Sequence, residues 1–445
     1  MSRIFKINPQ FSIDESRKIV DTRNRFLMND CHSMRWLVLS FALLLTCFIC
    51  ANCMRSAQKV AENTDYSIRE IDIITNLSNT QKANLSDIAS GIEYCVLELD
   101  KKCLVTFDMS FYASDDYIVT INAAATDFVT PVCYVFERST GKFVRQISRR
   151  GQGPGEYLNV LESFWDREKG QMCTLNANTY MFYNVDGTLS HQVKRFENRF
   201  DFVAFEDFYV TTLRSNTKRI AFYDKTGTIV DSIPNKLFLE KTQTWSYIDW
   251  DSWLFTFDNN LHFKDIYNDT LYQIKDFELH PRYLFNTGGL ALPYEKQEDQ
   301  RGNPLEMMRR RILETADRYE KYMNILKILE SNRYLYFTVN YKKQLYPAIY
   351  DKIEDKSKIM SPVSYSTSLL YDKRVPLCGF ENDLDGGLPF WPHQMISDKE
   401  MMCVYTPEEL LALDISKITD SRLKNVLNNI DEESNPIIAI VTLKD

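Results

Sequence analysis

Histidine is scarce in this chain. Five occur in 445 residues: His32, His191, His262, His280 and His393. None stands at zinc-ligand spacing, and there is no H-E-x-x-H pair, G-x-S-x-G elbow, P-loop or dinucleotide fingerprint. That removes the enzyme classes that announce themselves locally. It leaves only sites assembled from distant loops. An excess of positive charge is also missing. The net charge is −8 and the pI about 5.4. No basic stripe can neutralise phosphates, so nucleic acid is not an expected partner. A long apolar run is absent too. The uncharged segment Trp36–Cys50 falls short of the ~20 residues a membrane-spanning helix needs.

That short run fits the apolar core of a signal peptide. Met34-Arg35 precede it and Ala51-Asn52-Cys53 follow. A cysteine just after such a core is the acceptor expected of a bacterial lipoprotein, where two or more acyl chains hold the protein stably on a membrane. Cys53 is the expected lipidation site and Cys50 the alternative. Asn52 is not the usual small residue before the cysteine. The polar stretch ahead of Met34 is long for a signal peptide, so either Met34 is the start or the stretch is a short basic cytoplasmic tail. The later cysteines, Cys95, Cys103, Cys133, Cys173, Cys378 and Cys403, are scattered without a C-x-x-C pair. Cys95 and Cys103 pairing across a turn, or six buried thiols, are both open readings.

What the chain has in quantity is aromatic residues, 25 Tyr and 27 Phe, a bias toward strands. Residues 54–84 are polar and read as a tether, with one strand at Ile68–Ile74. From Leu85 onward, short strands alternate with turn residues. Three strand–turn–strand units recur, closed by Gly141, Gly187 and Gly227 about 40 to 46 residues apart. Weaker versions lie at Leu261–Ile274 and Leu335–Asp351. Multistranded repeats of this length predict propeller blades, which bury their faces only by stacking around an axis. Around 293–331 the pattern changes. Asn303-Pro304 reads as a cap with proline in the first turn. Leu305, Met308, Ile312, Ala316, Tyr319, Met323 and Leu326 then follow helical spacing, which predicts an inserted amphipathic helix. Thr406-Pro407 opens a short helix, residues 420–430 a second, and Asn435–Leu443 a final strand suited to closing a ring.

Gly151-Gln152-Gly153-Pro154-Gly155-Glu156-Tyr157 cannot be helix or regular strand. Its amides are those of an anion nest beside Arg145, Arg149 and Arg150. The simpler reading is an inter-blade turn in which Glu156 caps backbone amides and Tyr157 fills space. Asp383-Leu384-Asp385-Gly386-Gly387 is the most metal-like segment, with Asp383 and Asp385 as Ca2+ ligands, or an Asx-turn bonding its own backbone. No cofactor is otherwise expected. Trp245, Tyr247, Trp250, Trp253, Phe390 and Trp391 are the residues for a sugar-stacking platform at the propeller mouth, or for the core.

Several segments together resemble the six-bladed β-propeller lipoproteins of Bacteroidetes. These are Leu85–Ile88 with Ile92–Glu98, Gly141-Lys142-Phe143 leading into Gly151–Tyr157, Asn382–Pro392, and Asn435–Ile438. The resemblance implies an all-β, six-bladed propeller over 85–445, distantly akin to the NHL-repeat type, with a helical insertion and short C-terminal helices. It implies an exported, lipid-anchored protein of the cell envelope, and carries over no catalytic residue. The expected function is a non-enzymatic binding or scaffold module for a glycan, peptide or envelope protein. The alternatives are a metal-dependent lyase or hydrolase at the axis, and a structural subunit docked through the Leu305–Leu326 helix.

Overall fold

The recurring hairpins are the outer halves of propeller blades. The computed structural model describes residues 68–445 except 108, 123–131, 148–150, 154, 157–159, 168, 177, 197–198, 214–216, 238–251, 295–316, 366–376, 417 and 445. Its strands form six antiparallel sheets in chain order. Blade 1 runs from Ser110–Ala113 at the axis to Phe143–Ile147 outside. Blade 2 spans Val160–Asp166 to Leu189–Lys194, and blade 3 Arg199–Phe205 to Ile229–Pro234. Blade 4 spans Ser252–Phe257 to Glu278–Asn286, and blade 5 Asn324–Glu330 to Lys356–Ile359. Blade 6 combines Gln394–Met395, Glu400–Tyr405 and Ile437–Leu443 with an outer strand from the other end of the chain, Ala89–Val96. The protein is a six-bladed β-propeller.

Each middle strand is apolar on both faces, as in Tyr209, Val210, Ile220 and Ala221. A blade therefore cannot stand alone, and its two faces become the cores shared with its neighbours. Polar clamps accompany this packing at every interface. Between blades 6 and 1, Arg138 holds Glu400 through both Nη atoms, at 2.9 and 2.7 Å. Arg145 donates to the carbonyl of Asp186 between blades 1 and 2. His191 and the Tyr209 hydroxyl are 2.7 Å apart between blades 2 and 3, and Arg219 and Asp265 2.9 Å apart between blades 3 and 4. At the next interface the buried Glu330 carboxylate receives Arg282 at 2.6 and 2.7 Å and Lys352 at 2.8 Å. The Trp391 indole donates to Thr338 Oγ1 between blades 5 and 6.

The chain ahead of blade 1 is a strap across three blades. Arg69–Asp72 adds a parallel fifth strand outside blade 4. Gln81 bonds the carbonyl of Ile359 on blade 5. Leu85 and Glu381 then link the strap to blade 6 before Ala89–Val96 completes it. Ile71 and Ile73 are fully buried in the core between blades 4 and 5. The part of the polar 54–84 segment that is described, residues 68–84, thus lies on the propeller. Ile71, Ile73, Ala83 and Leu85 carry that packing among polar neighbours.

Two expectations change. The hairpins at Leu261–Ile274 and Leu335–Asp351 join the second and third strands of blades 4 and 5, whereas the three clear turns join third to fourth. They are not in-phase copies. The inserted helix also ends earlier than its spacing predicts. Residues 317–321 are helical, but Leu326 lies in the innermost strand of blade 5. Five aliphatic and charged residues there satisfy either periodicity, and pairing with Tyr334–Tyr341 selects the strand. The part of that helix over 303–316 lies outside the described residues. The two C-terminal helices, Pro407–Leu411 and Ser421–Asn429, and the closing strand stand as expected.

The turn glycines do two jobs. Gly141, Gly187 and Gly227 have φ of +72°, +84° and +83°. Two of them also admit the neighbouring blade. A Cβ on Gly227 would sit 2.6 Å from the carbonyl oxygen of Lys194, and one on Gly141 1.9 Å from that of Val96. Around Gly187 nothing stands within 4 Å. Gly227→Ala is therefore expected to destabilise the protein by about 1–3 kcal/mol. Gly187→Ala is expected to cost about 1 kcal/mol, from backbone conformation alone. Urea denaturation of both variants measures the difference, and equal losses would show that blade contact at Gly227 contributes nothing.

Candidate functional site at the propeller axis

The innermost strands line the axis, and one of them is irregular. The pairing of Asn324–Glu330 slips between Leu326 and Leu329. Lys327 sits in that bulge with φ +37°, a region that L-residues other than Gly, Asn and Asp seldom enter. Bulges re-aim side chains. Ile328 turns into the core between blades 4 and 5, while Lys327 remains exposed. No carboxylate is paired with Lys327 among the described residues. Its amine is nevertheless pushed down to about 8, first by desolvation and then by the charge of Arg167. An exposed amine that is poorly hydrated fits confined water inside a ring better than open surface.

Arg167 comes from the opposite side. It follows the innermost strand of blade 2, with its guanidinium 5.6 Å from the ring centre of Tyr112 on blade 1. Blades 2 and 5 stand opposite one another in the six-bladed ring. His393 approaches from blade 6, directly before its innermost strand. Its backbone N–H donates to Met402. Burial and the Lys327 charge hold its imidazole down at about 3, hence neutral. Asn324, 1% exposed on the same strand as Lys327, finds no partner for either amide atom among the described residues. Gln394, next to His393, donates to the carbonyl of Ala113 but leaves Oε1 without one. Two cations, a neutral imidazole and unsatisfied amides thus lie on or beside innermost strands of blades 2, 5 and 6.

The residues singled out in the sequence lie elsewhere. Phe390 and Trp391 are core residues, 0% and 9% exposed. Phe390 exchanges two 2.9 Å backbone hydrogen bonds with Phe380, and Trp391 stacks on Phe380. They form no exposed platform, because both pack in the core shared by blades 5 and 6. Trp253, on the innermost strand of blade 4, packs against Ile266, Leu292 and Tyr319, which seats the described end of the inserted helix on blade 4. Trp245, Tyr247 and Trp250 lie outside the described residues, as do Cys50, Cys53, Arg149, Arg150, Pro154 and Tyr157.

The Asp383–Gly387 loop is a buckle for the strap. The Asp383 carboxylate accepts from the backbone N–H and hydroxyl of Ser86, at 2.9 and 2.5 Å. Asp385, 3% exposed, accepts from the Tyr94 hydroxyl at 2.9 Å and the Gly387 N–H at 2.8 Å. Burial raises its carboxyl pKa. No group of three or more His, Cys, Asp or Glu side chains with metal-site geometry occurs among the described residues. In the glycine-rich loop, Glu156 turns back onto the Gly153 N–H at 2.8 Å. A Cβ on Gly151 would lie 1.9 Å from that carboxylate. Gly155 has φ +77°. The carboxylate occupies the place an anion would take, and Arg145 is engaged with Asp186. The six described cysteines are buried free thiols, Cys95 and Cys103 included. No described helix is long and apolar enough to cross a membrane.

Sequence reading missed Lys327 and Arg167. The available signal was one charge inside Ile325-Leu326-Lys327-Ile328-Leu329, which helical periodicity absorbed.

His393 makes stability depend on pH. Its folded pKa, about 3, lies below the ordinary imidazole value of about 6.5. Between those values the unfolded chain binds a proton that the folded one does not, so stability falls as pH drops through that window. His393→Asn is expected to lose about 1–2 kcal/mol less than the parent between pH 7 and 4.5. Urea denaturation at both pH values tests this, and parallel profiles would refute it.

The fold has solved counterparts. A protein of Bacteroides fragilis described as exported shares 17% identity, covers 85% of this chain and all of its own, and superposes with a TM-score of 0.59. A DUF4221-family member from Bacteroides vulgatus is 10% identical over 80% of this chain and 97% of its own, at a TM-score of 0.41. The β-propeller domain of the trilobed protease from Pyrococcus furiosus is 10% identical over 58% of this chain and 85% of its own, at 0.31. No curated protein matches. The family model described as a domain of unknown function, DUF4934, matches residues 68–442, and the chain belongs to that family.

Proposed function

We propose that this protein is an exported propeller, lipid-anchored at the bacterial cell envelope and facing the periplasm or exterior, that binds a ligand in its axial opening without transforming it. The observation that carries this reading is Lys327. It is a strained residue in a bulge of an innermost strand, exposed and without a paired carboxylate among the described residues. Strain of this kind persists where the surrounding structure over-determines it, and it concentrates at sites of function. Rigid innermost strands from several blades make a preformed site that needs no moving lid.

A metal-dependent lyase or hydrolase would want carboxylates and imidazoles converging on the axis. The described groups there include two cations, which oppose a metal ion. A subunit docked through the inserted helix would expose that helix's apolar stripe. Tyr319, in its described end, is instead buried against Ile266 and Leu292. Both observations favour the binding module. The ligand is a glycan, a peptide or a segment of an envelope protein.

Anchoring rests on Cys53, with Cys50 the alternative. Cells fed an alkyne fatty acid are expected to label the parent protein and Cys50→Ala but not Cys53→Ala. Loss of label in Cys50→Ala alone would move the anchor, and an unlabelled parent would refute it. For the binding reading, Lys327→Trp fills the opening while leaving the blade cores untouched. Titration of a panel of neutral and acidic oligosaccharides and peptides is expected to give a ligand that the parent binds and Lys327→Trp does not. Equal binding by a folded Lys327→Trp would place the site away from the axis.

A further inference from the structure

We infer that the seam between blades 4 and 5 is a strand-accepting surface whose partner is a second copy of this chain: two molecules pair by exchanging the segment Arg69–Ile74, independently of what the axis binds.

The seam is incomplete without that segment. Ile71 and Ile73, both 0% exposed, sit in the core that blades 4 and 5 share, with Leu271, Tyr283, Phe285, Ile325 and Ile359. Arg69–Asp72 lies parallel to Tyr283–Asn286 on the outer edge of blade 4. The Ile73 N–H donates to the Asn286 carbonyl at 3.1 Å, and the Asn286 amide donates to the Glu70 carboxylate at 2.6 Å. On the blade 5 side, the Arg69 guanidinium donates to the Lys352 carbonyl at 3.2 Å, and the Ser357 hydroxyl donates to the Asp72 carbonyl at 2.7 Å. Gly288, at φ +66°, makes room for Ile74, since a Cβ there would lie 2.9 Å from Ile74 Cγ1. Backbone pairing supplies attraction, and two isoleucines on one face of the strand supply register. Those are the two ingredients of strand addition at a sheet edge.

What ties the segment to its own molecule is slight by comparison. No hairpin turn joins it to the strand it pairs with, because the pairing is parallel. The connection onward to blade 6 runs through residues 75–82. The helical turn Ile74–Leu77 contains no buried residue and has no side-chain cap. Ser78, Asn79, Gln81 and Lys82 are exposed. Lys82 pairs with Glu381, but their side chains are 76% and 50% exposed, and such a pair contributes little. The backbone tie to blade 5 is the Gln81 N–H on the Ile359 carbonyl, at 2.9 Å. Drawn out, this connection reaches about 30 Å, enough for the seam of an adjoining molecule. An exchanged pair buries the same isoleucines and makes the same hydrogen bonds as the single molecule, so concentration decides between the two forms. Two copies anchored in one membrane meet at high effective concentration. Reciprocal exchange uses the same surface on both molecules and closes as a twofold pair.

Cysteine crosslinking of the full chain tests this. Glu70 and Leu284 are partners in the parallel register, and both are exposed. Adjacent strands hold such Cα atoms about 4.8 Å apart, inside disulfide range. The double variant Glu70→Cys/Leu284→Cys is expected to crosslink within one chain when dilute, which verifies the register. Differently tagged Glu70→Cys and Leu284→Cys proteins, mixed under mild oxidation, are expected to form a covalent heterodimer about tenfold above the background of either variant mixed with the parent. Its yield is expected to rise with protein concentration and to fall when a synthetic peptide of residues 68–77 is added. Ile71→Ser in the Glu70→Cys copy is expected to lower the yield about tenfold, through lost burial of one side chain. The peptide leaves both proteins unaltered, so it separates lost exchange from lost folding. A heterodimer no more abundant than background, with the intrachain crosslink intact, would overturn the inference, as would failure of the double variant to crosslink at all. A heterodimer that neither the peptide nor Ile71→Ser reduces would place the contact elsewhere and overturn it too.

Discussion

Everything in this molecule depends on one antiparallel pairing, that of Ala89–Val96 with Ile437–Leu443. It joins strands from the two ends of the described chain and turns a row of blades into a ring. A row would leave its terminal blades with one apolar face each in water and an unpaired edge. The pairing removes both, since it completes blade 6 and lets blade 1 pack against it. The strap extends the same device backward. It reaches blade 4 through Arg69–Asp72 and is fastened to blade 6 by Asp383 and Asp385.

Closure explains why the interfaces need polar clamps as well as apolar cores. Apolar packing is non-directional and tolerates sliding of one blade on the next. A bidentate Arg138–Glu400 pair, or Glu330 held by Arg282 and Lys352, does not tolerate it. Such pairs add little net stability when buried, because desolvation offsets attraction. Their contribution is register. Around a closed ring, small errors in register would accumulate, and Gly141 and Gly227 show how closely adjacent blades approach.

The ring also brings the strands that carry Lys327, Arg167 and His393 around one axis. They belong to blades 5, 2 and 6, and each lies at or beside an innermost strand. The bulge at Leu326–Leu329 gives up ladder hydrogen bonding around Lys327.

The blades were legible in the sequence because each strand must alternate or run apolar to be buried, and each tight turn must supply a residue with positive φ. Those are local requirements, and Gly141, Gly187 and Gly227 met them at regular spacing. The closing strand was legible for the same reason. Phe390, Trp391, Asp383 and Asp385 drew attention by residue type, but type alone does not say which way a side chain faces. Tertiary structure made two of them core and two of them fasteners for the strap. Lys327 showed in sequence only as a lone charge in an apolar run and Arg167 not at all, since residues separated by about a third of the chain come onto one ring only when six blades close. Sequence determined strands and turns, because these obey short-range sterics and burial. The axial site was decided by tertiary structure alone, because it depends on which innermost strands face one another across the ring.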